Sequence, residues 1–500
     1  MRFSTISSVL RKDSLILNYK DFRVSGINYD YRKVQPNNIY AAIDIFNYQG
    51  KERDGHEFIR EAIKNGAKAL ILKKKQNIDR DICQIIDSNP RKVLERLSAF
   101  FYSYPAKKLF TIGVTGTKGK TTTVYLISHL LEDAGIKTGF FSTADFKIGA
   151  HSTPNYTDKV NETHLTCPEA LELQKSLKQM VELDTKVAII EATSHALKLC
   201  RAAEECQYDI AVITNLQSEH LDFHKNKKDY YLSKAKLFDL LSTSKNKGLA
   251  KCAVINNDEQ NCQFLKKRVA SKTITYGIRS LANINAKSIE VKNNKTVFKI
   301  GNQIFESPLI GPHNVYNVCA AIAVASHFGI SRKKIKNSLA RFTGVPGRMQ
   351  EVKNNRGFRI LIDYAHTPES LEACLEAVKK ICSKRLIVIF GCAGDRDPRK
   401  RPRMGEVATR LADFSIITSD DPHNENPKRI AQEIVRGIKK NNFTIEIDRK
   451  KAIRKGLECA KKGDFVVIAG RGDEKFLEVR NKQIKWSDEQ VVIDCLGSII

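Results

Sequence analysis

Nowhere in this 500-residue chain do about 18 apolar residues run together, so no segment reads as a membrane-spanning helix. The opening MRFSTISSVLRKDSLILNYK lacks the apolar core of a secretory signal, and a cytoplasmic location is expected. Twelve cysteines occur, but none falls at a zinc-ligand or disulfide spacing, so they read as reduced core thiols. Internal repeats and low-complexity tracts are missing, which excludes a solenoid. Acidic residues are scarce: 56 Asp and Glu face 84 Lys and Arg, leaving +28. That excess would favour a polyanionic partner. The basic residues fall in short scattered runs, such as Lys73 to Lys75, Lys227-Lys228 and Lys439-Lys440, which read as a solvated surface rather than a nucleic-acid face. No nucleic acid and no membrane insertion are expected.

What is present fits a globular protein: 42% apolar and 28% charged residues, in a chain too long for one ordinary core. Composition breaks near Tyr104-Pro105 and in Thr343-Gly344-Val345-Pro346-Gly347 divide it into residues 1–106, 107–344 and 345–500. The first stretch reads as small mixed α/β. From Leu109, short apolar runs (LFTIGVTG, VAIIEATSH, DIAVITNL, KCAVINN) alternate with helical patterns, which predicts a mostly parallel, helix-covered sheet. The alternation restarts after residue 345 with RILIDYAH, RLIVIFGCAGDRD, FSIITSDDP and DFVVIAGRGDE. Between the first two, Leu371, Leu375, Val378 and Cys382 share one helical face. The fold class is α/β with three domains, and ligands are expected at the loops after the strands.

The sharpest local signal is GVTGTKGKTTT, residues 113–123, between a predicted strand and a predicted helix. Gly116 and Gly119 let the backbone of Gly116, Thr117, Lys118 and Gly119 turn its amides toward phosphate oxygens, and the helix N-terminus adds positive potential. Lys120 would reach the terminal phosphates, and Thr121, followed by Thr122, would offer a hydroxyl to magnesium. The spacing departs from a Walker loop, because Val114 stands where its first glycine belongs. Binding of ATP or GTP is the reading; a glycine-rich turn without a ligand is the bland alternative.

GTKGKTTT resembles the GTxGKT loop of the Mur ligases and of the related folylpolyglutamate synthetases. Further motifs follow in that family's order across nearly the whole chain: EATSHAL (191–197), TNLQSEHLDFH (214–224), HNVYN (313–317), PGRMQ (346–350), DYAHTPESL (363–371) and GCAGDRDPRKRPRMGEVA (391–408). DYAHTP, GDRD and the DDP loop are most similar to the branch that adds the third residue of a stem peptide. The resemblance implies a uridine-nucleotide-binding N-terminal domain, a central P-loop ATPase and a C-terminal Rossmann-like ligase domain. It implies an ATP-dependent ligase of peptidoglycan precursor synthesis that works through an acyl phosphate and acts as a monomer. Its partners would be a UDP-muramoyl dipeptide, UDP-N-acetylmuramoyl-L-alanyl-D-glutamate, and a diamino acid.

By the same resemblance, Thr121 and Glu191 hold the magnesium on ATP and His220 helps hold a second. A lysine carbamate, formed from CO2, falls on Lys234 when counted from His220, with Lys236 as rival. Asn314 is placed near adenine, Arg348 toward phosphate and Asp363 toward ribose, with His366 supporting the loop; alternatively Asp363 caps the helix near Pro368. Thr166, Thr193 and Arg201 are the precursor contacts, while Leu199 and Tyr31 replace polar residues usual in the family. Arg396 takes the α-carboxylate of the incoming amino acid, and Gly470 and Glu474 belong to the same pocket.

The loop SDDPHNENP (419–427) decides the incoming residue. Relatives that add diaminopimelate usually read DNPR there, with arginine gripping the second carboxylate. Here Asp420, Asp421 and His423 occupy the loop, so its charge predicts a distal ammonium and hence L-lysine or L-ornithine; meso-diaminopimelate is the alternative, and simple helix capping by the two aspartates is the bland one. A folylpolyglutamate synthetase-like ligase is a rival of the same chemistry. A basic P-loop NTPase acting on nucleic acid is the rival of another class.

Overall fold

The computed structural model describes residues 1–10, 14–46, 52–78, 80–149, 151–154, 165–217, 223–269, 271–292, 295–480 and 482–498. The chain forms two compact units: Met1–Asn285 with Tyr316–Ile335, and Ala286–Val315 with Lys336–Ile500.

The first unit carries two large sheets, besides the two-stranded pair Ile45–Phe46 and Glu52–Arg53. The N-terminal one runs Leu15–Leu17, Cys83–Ile86, Ala67–Leu72, Asn38–Ala41, Gly26–Asn28, parallel except at its first pair. The helix Pro90–Phe101 covers one face, where Val93, Leu94 and Leu97 pack with Ile39, Ile71 and Ile85. Asn89 starts that helix by accepting the Lys92 N–H, with Pro90 in the first turn where a missing N–H costs nothing.

The second sheet has the core order Thr138–Phe141, Val187–Glu191, Phe110–Thr115, Ile210–Ile213, Cys252–Asn256, Lys272–Gly277, all parallel. Helices cover both faces of the inner strands, so Val187–Glu191, Ile210–Ile213 and Cys252–Asn256 are buried along their whole length rather than alternating, while Lys272–Gly277 toward the edge is only partly buried. Phe110–Thr115 comes first in the chain, yet it lies between the third and fourth of these strands. Strand order therefore reverses beside it, and in open parallel sheets the carboxyl ends at such a reversal are where ligands bind.

In the second unit, six strands run Gln350–Val352, Arg359–Asp363, Phe465–Ala469, Leu386–Phe390, Phe414–Ile417, Phe443–Ile445, parallel except for the first. The DYAHTP, GCAGDRD, SDDP and GRGDE segments all leave carboxyl ends of this sheet. In the helix Pro368–Lys379, Leu371, Leu375 and Val378 are buried as the periodicity predicts; Cys382 lies past its end. Thr367 and Ser370 form a capping box at its start. Asp363 is thus not the cap of this helix, and that alternative is corrected. No helix among the described residues is long and apolar enough to cross a membrane.

A buried lysine ties the amino end of the central sheet. Lys247 Nζ meets Asp209 Oδ2 at 2.7 Å and donates to the carbonyls of Ala106 (2.9 Å), Leu109 (2.8 Å) and Gln207 (2.6 Å). Asp209 Oδ2 also accepts the Thr111 N–H at 2.8 Å. Burial pulls the lysine pKa down and pushes the aspartate up, so each is charged because of the other. Removing one partner strands the other, which costs about 3–5 kcal/mol. Lys247→Met should therefore lower the melting temperature by several degrees, and Lys247→Met with Asp209→Asn should recover part of the loss; thermal denaturation followed by circular dichroism checks both.

Candidate functional site

The loop after Phe110–Thr115 has the shape that its two glycines permit. Gly116 and Gly119 have φ of 145° and 81°. A Cβ on Gly116 would lie 1.8 Å from Thr214 Oγ1, and one on Gly119 would lie 2.3 Å from Asn317 Oδ1. Neighbouring strand ends hold the loop. Thr117 N donates to the Asn215 carbonyl (3.0 Å) and Lys118 N to Asn215 Oδ1 (2.9 Å), while Thr214 Oγ1 donates to the Lys118 carbonyl (2.6 Å). Thr117 Oγ1 meets the Tyr230 hydroxyl at 3.0 Å. Gly119 opens the helix Lys120–Glu132, and Thr122 is buried in its first turn.

Glu191, 1% exposed at the end of its strand, is the electrostatic centre. Thr121 Oγ1 donates to its Oε2 (2.9 Å), as does Thr143 N (3.0 Å), and Thr143 Oγ1 donates to Oε1 (3.1 Å). Lys120 Nζ is 3.9 Å from Oε1 and donates to the Thr117 carbonyl at 3.0 Å. Thr166 joins through Thr143, hydroxyl to hydroxyl at 3.1 Å. The glycine-lysine loop and EATSHAL are thus one cluster, as the sequence predicts.

The donors Thr121 Oγ and Glu191 are hard oxygens that suit magnesium, an ion that commonly takes one or two protein ligands and fills its shell with water and phosphate. Among the described residues no group of three or more His, Cys, Asp or Glu could hold a metal. His220 lies outside the described residues.

Lys234, 2% exposed, donates to the Gly116 carbonyl at 2.7 Å, and its ammonium lies 4.6 Å from the Tyr230 ring centre. Lys236 faces elsewhere, donating to the Leu197 carbonyl at 2.9 Å.

The second histidine of TNLQSEHLDFH makes contacts the sequence did not announce. His224 Nε2 meets Ser194 Oγ at 3.0 Å, and its Nδ1 is 3.5 Å from Asp229 Oδ2. The order resembles a hydrolytic triad, but Ser194 is 1% exposed and out of reach of a substrate, so the contact fastens the segment after residue 222 to the Ser194–Lys198 helix.

The expected precursor contacts are partly engaged. Thr193 Oγ1 accepts the Ala196 N–H as a helix cap. Arg201 is buried, its pKa lowered by that burial, with Nε 3.8 Å from Glu169 and Nη1 3.4 Å from the Cys167 carbonyl. Glu169 also holds Arg91 at 2.8 Å, and Tyr29 donates to Glu172 at 2.9 Å. These contacts join the two sheets of the first unit. Sequence reasoning missed Arg91, Glu169 and Glu172, because nothing local marks a pair separated by 78 or 143 residues. Glu95 belongs to the same seam: its Oε1 accepts Ala203 N (2.9 Å) and Glu205 N (3.2 Å).

In the second unit Asn314 Nδ2 donates to the Ile310 carbonyl (2.9 Å), a bond to its own chain entry. Asn317, the second asparagine of HNVYN and already part of the first unit, is the one packed on Gly119, and the sequence reading passed over it. Arg348 stacks 4.2 Å over Tyr364 and reaches Asp473 Oδ1 at 3.2 Å. Asp363 accepts Met349 N (2.8 Å) and Ala365 N (2.9 Å), and burial raises its pKa. His366 Nδ1 lies 2.8 Å from the Tyr364 carbonyl.

The amino-acid loop is organised by a residue the sequence did not single out. Arg471 is fully buried and meets Asp420 Oδ1 (3.0 Å), Asp421 Oδ1 (2.7 Å) and Glu474 Oε2 (3.2 Å). Burial alone would lower its pKa, but the three carboxylates hold it above the ordinary range. Burial pushes Glu474 up to about 8 and raises Asp421. Gly470, at φ 116°, lies against Asp420, where a Cβ would come within 2.6 Å of Oδ2. His423 Nδ1 lies 3.0 Å from Glu478, and Arg396 is exposed. The helix after this loop is capped by Asn426, so the capping alternative for Asp420 and Asp421 is set aside.

The family described as Mur ligase middle domain matches residues 114–325, and the one described as Mur ligase, glutamate ligase domain matches residues 347–472. The chain is 37% identical over 495 residues to the UDP-N-acetylmuramoyl-L-alanyl-D-glutamate--2,6-diaminopimelate ligase of Bacillus velezensis, covering 98% of each chain. The protein of the same name from Caldanaerobacter subterraneus is 37% identical over 488 residues, covering 95% of each. A solved structure of a ligase of that name matches with a TM-score of 0.63 at 30% identity, covering 95% of each chain.

These relatives overturn the expectation of lysine or ornithine, since they are named for diaminopimelate. The physical reason is Arg471. The aspartates taken as free to repel a distal carboxylate are already paired with a buried guanidinium. What negative charge remains suits an ammonium, which every diamino acid carries, so it does not discriminate among them.

Because burial raises the Glu95 pKa to about 8, the proton bound there stabilises the fold at low pH and is lost as pH rises through about 8. Glu95→Gln keeps an oxygen for the two backbone donors and removes the titration. Its melting temperature relative to wild type should rise between pH 6 and pH 9, as measured by scanning fluorimetry.

Proposed function

The chain belongs to the Mur ligase family of ATP-dependent ligases that join an acid to an amino acid, and from that premise we propose that it adds 2,6-diaminopimelate to UDP-N-acetylmuramoyl-L-alanyl-D-glutamate in the cytoplasm, a step of peptidoglycan precursor synthesis. The observation that carries the ligase reading is Glu191, a buried carboxylate bonded to Thr121 and Thr143 beside Lys120 in a glycine-shaped phosphate loop. The choice of amino acid is supported by relatives of that name over 98% of the chain.

The loop amides and Lys120 hold the triphosphate. Thr121 and Glu191 would hold magnesium, with His220 and a carbamate on Lys234 at a second ion. Magnesium, when bound, supplies the positive charge that lets a phosphate approach a carboxylate. Thr166, Thr193 and Arg201 belong to the precursor. Its terminal carboxylate oxygen attacks the γ-phosphorus and ADP leaves. The neutral amine of diaminopimelate then attacks the acyl carbon, the tetrahedral adduct collapses, and inorganic phosphate departs with the remaining amine proton passing to solvent. Arg396 receives the α-carboxylate of the amino acid. Asp420 and Asp421 outnumber the guanidinium they share and, with Glu474 as a further hydrogen-bond acceptor, favour an ammonium group. Asn314, Arg348 and Asp363 are assigned to the nucleotide.

The reading is tested by phosphate release with the dipeptide precursor and, separately, diaminopimelate, lysine and ornithine. Release should need both the precursor and diaminopimelate; release without the precursor would sink the ligase reading, and a preference for lysine would sink the diaminopimelate assignment. Lys120→Ala should abolish release. Lys234→Ala should lower kcat by at least about two orders of magnitude, with partial recovery on adding acetate or formate, while Lys236→Ala stays near wild type.

A further inference from the structure

Beneath the strand-end loops of the second unit lies a second enclosed arginine, which none of the roles above uses. The Arg401 side chain is 1% exposed. It forks onto Glu425, with Nη2 to Oε1 at 2.8 Å and Nη1 to Oε2 at 2.9 Å. Nη1 also reaches Glu433 Oε2 at 2.7 Å, and Nη2 the Ala393 carbonyl at 3.2 Å. One guanidinium therefore holds the loop that follows Leu386–Phe390 and the loop that follows Phe414–Ile417.

Glu425 carries that grip to one particular residue. Its Oε1 accepts the Asp395 N–H at 2.6 Å, and Asn424 Nδ2 donates to Asp395 Oδ2 at 2.9 Å. Asp395 is a non-glycine residue at φ 50°, a left-handed conformation that persists only where its surroundings impose it. It immediately precedes Arg396. Across the same seam Gly394 N donates to the Asp421 carbonyl at 2.7 Å, and a Cβ on Gly394 would lie 2.1 Å from the Pro422 carbonyl oxygen. His423, at φ 48°, is the second left-handed non-glycine residue of the seam.

We propose that Arg401 and Glu425 are positioning residues for the amino-acid substrate: Arg401 fixes Glu425, Glu425 fixes the strained Asp395 backbone, and that backbone aims Arg396. The assignment rests on the reading that Arg396 grips the α-carboxylate. A surface arginine on a loop would otherwise lose rotamer and backbone freedom each time it bound substrate, and the fixed turn removes part of that loss beforehand. A bidentate pair suits the task because it sets orientation as well as distance.

The test is steady-state kinetics on the full-length enzyme with Glu425→Gln, Arg401→Lys, Arg396→Ala and the double variant Arg396→Ala Glu425→Gln. Glu425→Gln keeps the loop length and leaves Arg401 its Glu433 partner; it should raise the KM for the amino acid about tenfold, leaving the KM for ATP and for the precursor within about twofold. Arg401→Lys keeps the charge without the fork and should give an intermediate rise. In the Arg396→Ala background, Glu425→Gln should add nothing further to that KM, because its effect passes through the missing side chain. Equal rises in the KM of all three substrates, or additive effects in the double variant, would overturn the positioning role while leaving the Arg396 assignment intact. An unchanged amino-acid KM in Arg396→Ala would overturn both. Should Arg401→Lys fold poorly, Glu425→Gln and the double variant decide the matter alone.

Discussion

The phosphate loop has its observed shape because two of its positions carry no Cβ. At Gly116 the space belongs to the Thr214 hydroxyl and at Gly119 to the Asn317 amide, so any side chain there would displace the residues that hold the loop. With the loop set, Lys120 and Thr121 start a helix directly beside Glu191, and Lys234 meets the Gly116 carbonyl from the Lys227–Thr243 helix. Four segments far apart in sequence converge because parallel strands deliver every following loop to the same edge of the sheet.

The second unit uses the same geometry with a different electrostatic logic. Its strand-end loops are crowded with charge, and buried arginines make that crowding tolerable. Arg471 gathers Asp420, Asp421 and Glu474, and Arg449 is bound to Asp488 at 2.6 Å. An enclosed carboxylate costs several kcal/mol unless it is paired, and here each of these pairs is built into the protein rather than left for a ligand. The count of acids in a motif is therefore a poor guide to the charge a substrate would meet.

Much of the architecture was legible before any coordinates. Runs such as VAII, LIVIF and FVVIA are apolar throughout because both faces of a parallel strand are covered, and the polar residues that follow mark where chemistry collects. The cluster of Thr121, Glu191 and Lys120 was readable for the same reason. Lys234 and Lys236 stand two residues apart on one helix, so they point roughly 200° apart and cannot share a target; Lys234 is the one that meets the phosphate loop. What escaped were pairings across sequence. Arg471 lies 51 residues from Asp420, Lys247 lies 138 from Leu109, and Asn317 differs from Asn314 by less than one helical turn. No local pattern encodes such partners, and the aspartates looked unpaired only because their counterion lies on another strand end. The amino acid inferred from them was wrong for that reason.

The seam between the two sheets of the first unit reaches further than its few contacts suggest. Arg91, Tyr29 and Glu95 each place one half of an enclosed polar pair on the N-terminal side, and Glu169, Glu172 and the Ala203 amide hold the other half. A chain trimmed to begin at residue 105 would keep those second halves without their N-terminal partners. The N-terminal sheet thus closes polar pairs whose other halves sit on the central sheet's side, so a shortened version of this chain would have to solvate or re-pair those groups.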